Sequence, residues 1–146
     1  MKRAIKEGRN AIAELKRYNC KLNIESDKGI VVEKIFRDIF YPLNENTATD
    51  GVLSMSIEDT STTGMGIVKL PKGGAIYHHF HRKLNEFVMV ISGCINYIVY
   101  ETNIRSKIIA EGKLAEGEKL HIPSGQTHYV FTSDMVSYLK IGFSKI

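Results

Sequence analysis

The chain has 146 residues, enough for one domain with a full hydrophobic core and too few for two. Hydrophobic residues make up 43% and charged residues 25%, an ordinary globular balance that excludes a disordered or low-complexity chain. The net charge of +4 lies wholly within residues 1–19, where six Lys/Arg oppose Glu7 and Glu14, and the body is neutral with no basic run interleaved with aromatics, so no nucleic acid is expected as a partner.

Cys20 and Cys94 are the only cysteines, far apart and without metal-finger spacing. Free thiols in a reducing, cytoplasmic setting follow from that usage. The N-terminal segment lacks the apolar stretch of a secretory signal, and no apolar run is long enough to span a bilayer, so no membrane partner is expected.

In chain order, residues 1–18 read as an amphipathic helix. Met1, Ala4, Ile5, Gly8, Ala11, Ile12 and Leu15 recur at three- and four-residue spacing, with the charges on the other face. From about residue 22 the pattern changes to short β-branched and aromatic runs at 30–36, 52–57, 65–70, 87–91, 95–100, 127–132 and 136–143. Turn signals separate them: Asp27-Lys28-Gly29, Pro71-Lys72-Gly73-Gly74, Ser92-Gly93 and Pro123-Ser124-Gly125. Many short strands predict an all-β sandwich or barrel. The expected organisation is a helix and linker over 1–22 and a barrel over 23–146, one domain overall, with the polar stretch 44–51 as a loop or lid.

All five histidines fall between residues 78 and 128. His79 and His81 are two apart, which on a strand aims both imidazoles at one face. A tight turn through residues 82–85 brings Glu86 back beside them, and His128 opens the strand after Pro123-Ser124-Gly125. Three imidazoles and a carboxylate form a borderline-hard N/O set suited to Mn, Fe, Co, Ni, Cu or Zn. Four protein ligands leave one or two positions of an octahedral ion for water or substrate. A metal-free acid/base cluster of His79, His81 and His128 is the competing reading, weakened by the carboxylate. His78 faces the other side of its strand and reads as a surface or interface residue, and His121 as structural. Tyr77, in phase with His79, and Val130 and Thr132, in phase with His128, are candidates for the pocket wall.

These residues carry a resemblance to a family. Gly73, five residues, His79-Phe80-His81, four residues, Glu86, six residues, Gly93 is similar to the first cupin motif at every defined position. Gly117, five residues, Pro123-Ser124-Gly125, two residues, His128 is similar to the second, whose closing Asn is Thr132 here. The resemblance spans residues 65–143. It implies a double-stranded β-helix (jelly-roll) barrel with one divalent transition metal held by His79, His81, Glu86 and His128. Gly73, Gly93, Gly117, Pro123 and Gly125 would shape its turns. It also implies a homodimer, for which the apolar stripe on residues 1–15 supplies a separate motive. Cupins host many reactions. The expected function is a metal-dependent enzyme acting on a small polar metabolite (a keto acid, sugar derivative or enol) by Lewis-acid isomerisation or elimination, or by dioxygen activation. The alternatives are a non-catalytic small-molecule binding or sensing cupin, and a metal-free sugar epimerase using a His base.

Overall fold

Alternation of apolar and polar side chains builds two antiparallel sheets whose inner faces meet. The computed structural model describes residues 3–8, 41–102 and 107–146. Its strands are β1 (Ile5–Gly8), β2 (Tyr41–Pro42), β3 (Leu53–Asp59), β4 (Thr63–Leu70), β5 (Ala75–His79), β6 (Leu84–Ser92), β7 (Cys94–Tyr100), β8 (Ile108–Ala115), β9 (Glu118–Ile122), β10 (His128–Phe131) and β11 (Ser137–Lys145). One sheet runs β1-β9-β6-β11-β4-β3-β2, the other β5-β10-β7-β8. In β7, Ile95, Tyr97 and Val99 are buried while Cys94, Asn96, Ile98 and Tyr100 stay half-buried on the other face. Val68, Leu70, Val88, Val90, Leu120 and Leu139 of the larger sheet pack in one core with Ile76, Ile95, Tyr97, Val99, Leu114 and Val130 of the smaller. Each such side chain contributes about 1.5–3 kcal/mol relative to exposure, so this contact between sheets carries the fold.

The N-terminal helix is corrected where the structure describes it. Ile5–Gly8 is a strand, paired antiparallel to β9 from Ile5↔His121 to Gly8↔Glu118. Beside β6, β9 would otherwise present an unpaired edge. A neighbouring strand satisfies that edge's backbone groups, and this long-range gain outweighs a local helical stripe. Ile5, a stripe residue, is 57% exposed, whereas Ala4 packs on the core and Lys6 pairs with Glu118 at 3.1 Å. Residues 9–18 of the expected helix, the run at 30–36 and Cys20 lie outside the described residues.

The polar stretch 44–51 is anchored. Ala48 is buried and bridges Ile76 on β5. The Thr49 N–H donates to Ala75 O at 2.9 Å and the Tyr77 N–H to Thr47 O at 2.8 Å. The Ala75 N–H donates to Thr49 Oγ1 at 2.8 Å. This segment covers the outer edge of β5, the first strand of the small sheet.

Gly73, Gly93, Gly117 and Gly125 all adopt positive φ, between 73° and 96°. At Gly93 the reason extends beyond the dihedral angle. A Cβ there would strike Ser137 Oγ and come within 2.8 Å of Val136 O, and Ser137 Oγ is already tied to Cys94 N at 3.1 Å and Cys94 O at 3.0 Å. A Cβ on Gly125, by contrast, meets nothing within 4 Å. Gly125→Ala should therefore cost only the left-handed penalty, about 1–2 kcal/mol, and Gly93→Ala clearly more. Urea unfolding of the two variants side by side measures the difference.

Candidate metal centre

The four motif side chains come from different elements. His79 ends β5, His81 lies in the segment between β5 and β6, Glu86 is the third residue of β6, and His128 opens β10. His128 stands opposite His79 across the small sheet. On β5 and β10 the register steps from His128↔His79 to Val130↔Ile76, so β5 holds one extra residue there. That bulge puts both Ile76 and His79 on the inner wall and turns Tyr77 outward to 38% exposure. The connection carrying His81 is clamped to the Pro123-Ser124-Gly125 turn. The Gly125 N–H donates to His81 O at 2.7 Å, the Ser124 N–H to Asn85 Oδ1 at 3.0 Å and Ser124 Oγ to Arg82 O at 3.2 Å. The two motifs are thus hydrogen-bonded to each other just beside the site.

One potential ligand atom from each of His79, His81, Glu86 and His128 lies within 4.8 Å of all the others. The rings of His79 and His128 are 4.2 Å apart, and those of His79 and His81 5.1 Å. His79 Nδ1 lies 2.8 Å from Tyr77 O and His128 Nδ1 3.0 Å from Gln126 O. A carbonyl only accepts, so both Nδ1 atoms carry the proton and each Nε2 is left with a lone pair. Such outer hydrogen bonds are how a protein orients metal-binding imidazoles.

Glu86 and His128 are 5% and 2% exposed. Glu86 Oε2 lies 2.6 Å from His128 Nε2 and 3.4 Å from His81 Nε2, yet none of the three atoms has an aligned hydrogen-bond partner. Buried acceptors pressed together require a positive charge between them, either a proton on His128 or a metal ion. These residues therefore fit a divalent cation: three imidazoles offer neutral donors, and the carboxylate supplies compensating charge.

With protons alone, the charges settle as follows. Burial pushes the Glu86 carboxyl up, but the imidazolium of His128 outweighs it, helped by His81 and His79, and holds its pKa at about 2. Burial pushes His128 down, but the Glu86 carboxylate overcomes that and raises it. His79 is lowered, by burial first and then by repulsion from His128.

These donors line a cavity of about 440 Å³ together with Val130, Val88, Ile141 and Phe143. Of the other wall candidates, Tyr77 and Thr132 are not among the residues that line it. Thr132 is buried instead, donating to Cys94 O at 3.3 Å and Met135 O at 2.8 Å. His78 stacks on Tyr129 at 4.5 Å, on the other side of β5 from His79. His121 faces Phe87 at 6.3 Å. Sequence reasoning missed Asn85, Ser124 and the Gln126 carbonyl. An Asn ahead of the motif Glu is an ordinary turn residue, and a backbone carbonyl has no sequence signature.

No family model and no curated protein matches the sequence. Solved structures do. A predicted oxalate decarboxylase from Thermotoga maritima matches with TM-score 0.63 at 11% identity over 73% of this chain and 92% of that one. A sugar phosphate isomerase of the cupin superfamily from Silicibacter pomeroyi matches with TM-score 0.55 at 22% identity over 66% of this chain and 61% of that one. The Cnp3 cupin domain of Schizosaccharomyces pombe gives TM-score 0.56 at 11% identity over 65% of this chain, which spans only 61% of that domain chain. Two facing antiparallel sheets, the histidine and glutamate group between them and these likenesses define the class: the chain has the cupin fold.

The pKa directions give two opposed slopes. His128, raised above the ordinary 6.5, contributes stability that is fully present below that pH and lost as pH climbs through its folded value. His79, lowered, favours unfolding once protonated, so stability also falls as pH drops below 6.5. Glu86 matters only lower, losing its contribution from about 4.5 down toward 2. With chelator present, the thermal midpoint should peak near pH 6.5, and His128→Asn should abolish the decline on the alkaline side; circular dichroism melts across pH 5–9 read both. Asn85→Ala, which removes the acceptor for the Ser124 N–H, should weaken transition-metal binding about tenfold and shift the melting temperature little. Calorimetric titration with Zn(II) or Co(II) tests that.

Proposed function

We propose that the protein is a metal-dependent enzyme that holds one divalent transition metal through His79, His81, Glu86 and His128 and acts on a small molecule bearing a carbonyl or enol oxygen. The observation that carries this reading is that all four donors line an open cavity instead of being sealed in the core. A structural metal is closed off by its ligands, whereas a catalytic one faces space for substrate. A divalent metal there supplies Lewis-acid polarisation of a substrate oxygen, or dioxygen chemistry if it is iron.

The chain's own residues do the rest. The carbonyls of Tyr77 and Gln126 accept from Nδ1 of His79 and His128, so that in the neutral rings the Nε2 lone pairs are the ones aimed into the site. Glu86 contributes one negative charge in a place water reaches poorly. Val88 and Val130 line the wall beside the donors and exclude solvent from the reacting group. The isomerase and decarboxylase named among the similar structures act on small molecules, which supports the class of reaction without selecting one. The same proposal includes a homodimer in a reducing cytoplasm.

Protein purified without added metal should contain close to one equivalent of a transition metal by elemental analysis; under about 0.2 equivalents, with His79→Ala changing nothing, ends the metal reading. Metal-replete protein should accelerate deuterium uptake at the carbon next to the carbonyl of a 2-oxo acid, and Glu86→Gln should lower that rate at least ~100-fold. Ligand binding without any exchange or turnover would point to a binding or sensing cupin. Activity that survives chelation would point to a His base.

A further inference from the structure

The wall of the cavity differs in character from the donor group. In the large sheet the cross-strand register orders the inward residues into rows. Lys145 stands opposite Leu84 at the outside, then Phe143 opposite Glu86, then Ile141 opposite Val88, then Leu139 opposite Val90. Glu86 therefore lies one row in from Lys145, and the lined space continues past it between Val88, Ile141, Leu139, Val68 and Val130. Polar atoms along that path are few: the hydroxyls of Thr47, Ser54 and Ser56.

Charge is scarcer still. Among the described lining residues the one cation besides the histidines is Lys145. Its Nζ lies 2.8 Å from Asp59 Oδ1 and donates to Thr60 O, outside the Glu86 row. No Arg is among them. A phosphate or second carboxylate carried inward would be stripped of water with no counter-charge, which costs several kcal/mol. An alkyl or aryl body would instead gain about 0.8 kcal/mol per buried methylene.

Resting on the metal reading, we propose that the substrate has a single oxygen-bearing, metal-seeking head and an apolar body, and that sugar phosphates and dicarboxylates are rejected. This narrows the polar metabolite expected from the motifs alone. The head binds between Glu86 and the three histidines, and the body lies along the Val88, Ile141 and Leu139 rows. The cavity volume is within the range of about 300–1,000 Å³ that small-molecule sites occupy.

Straight-chain 2-oxo acids from pyruvate to 2-oxooctanoate test it, titrated into Co(II)-loaded protein and followed by the cobalt absorption bands. One equivalent of bound cobalt is verified first. Kd should tighten about fourfold per methylene until the cavity is filled. 2-Oxoglutarate, with the same head and a second carboxylate, should bind at least ~30-fold more weakly than 2-oxopentanoate, and ribose 5-phosphate should not perturb the bands. Ser56 is exposed yet lines the cavity, so Ser56→Lys places a cation in the wall with little risk to folding. It should narrow the gap between 2-oxoglutarate and 2-oxopentanoate at least tenfold. A Kd independent of chain length, or 2-oxoglutarate or ribose 5-phosphate as the tightest ligand, overturns the apolar body alone. Failure to bind cobalt overturns the metal reading and the head group with it.

Discussion

A carboxylate is held ionised at the edge of a hydrophobic barrel, and much of the local architecture follows from keeping it there. Glu86 is almost wholly buried, in a setting that would neutralise a lone carboxyl. The nearby imidazoles reverse that tendency. They can do so only while their rings are fixed, and each of two rings is fixed by a backbone carbonyl two residues earlier in the chain, Tyr77 for His79 and Gln126 for His128. The third, His81, is steadied by the edge of the Phe143 ring at 5.1 Å and by the clamp between the Pro123-Ser124-Gly125 turn and the connection before β6. Because the donors come from both sheets, the site exists only when the two sheets are packed. The core between them and the chemistry at its rim are therefore one cooperative structure.

What could be read from residues alone divides along physical lines. Spacing carried the convergence of His79, His81, Glu86 and His128, because motif glycines at positive φ and a proline leave the turns between them little freedom. Alternation carried most strands of the body, with boundaries off by one to three residues at ends such as β6 and β11. Period failed where long-range pairing or irregular backbone intervened. Residues 5–8 fit a helical stripe, but the open edge of β9 offered them four paired positions. Tyr77 shares the phase of His79 only on a regular strand, and the extra residue in β5 breaks that phase. A bulge leaves no mark in composition. Neither does the emptiness of a cavity, which depends on which small side chains, such as Gly66 and Ser54, face inward across from larger ones.

The donor set and the wall carry different information. The set resembles what the motifs describe, and the solved structures that share the fold carry names as different as decarboxylase and isomerase. The fold is thus compatible with several reactions, as a scaffold with loops and walls free to vary should be. The rows of side chains behind Glu86 belong to this chain in particular. Their few hydroxyls and their lack of free cations among the described residues bear on which molecules could reach the donors.

The segment through Thr47, Ala48 and Thr49 has one more effect. By taking up the hydrogen-bonding edge of β5, it removes that edge as a template for another chain. Among the described residues, the small sheet then has a single uncapped side, β8. That strand carries Glu111 and Lys113, both exposed, at its middle. Charged residues of opposite sign on a lone edge discourage indiscriminate stacking of β-strands. They leave room for a partner only where its own charges answer theirs. Within the small sheet, growth by strand addition is thereby confined to the guarded side of β8.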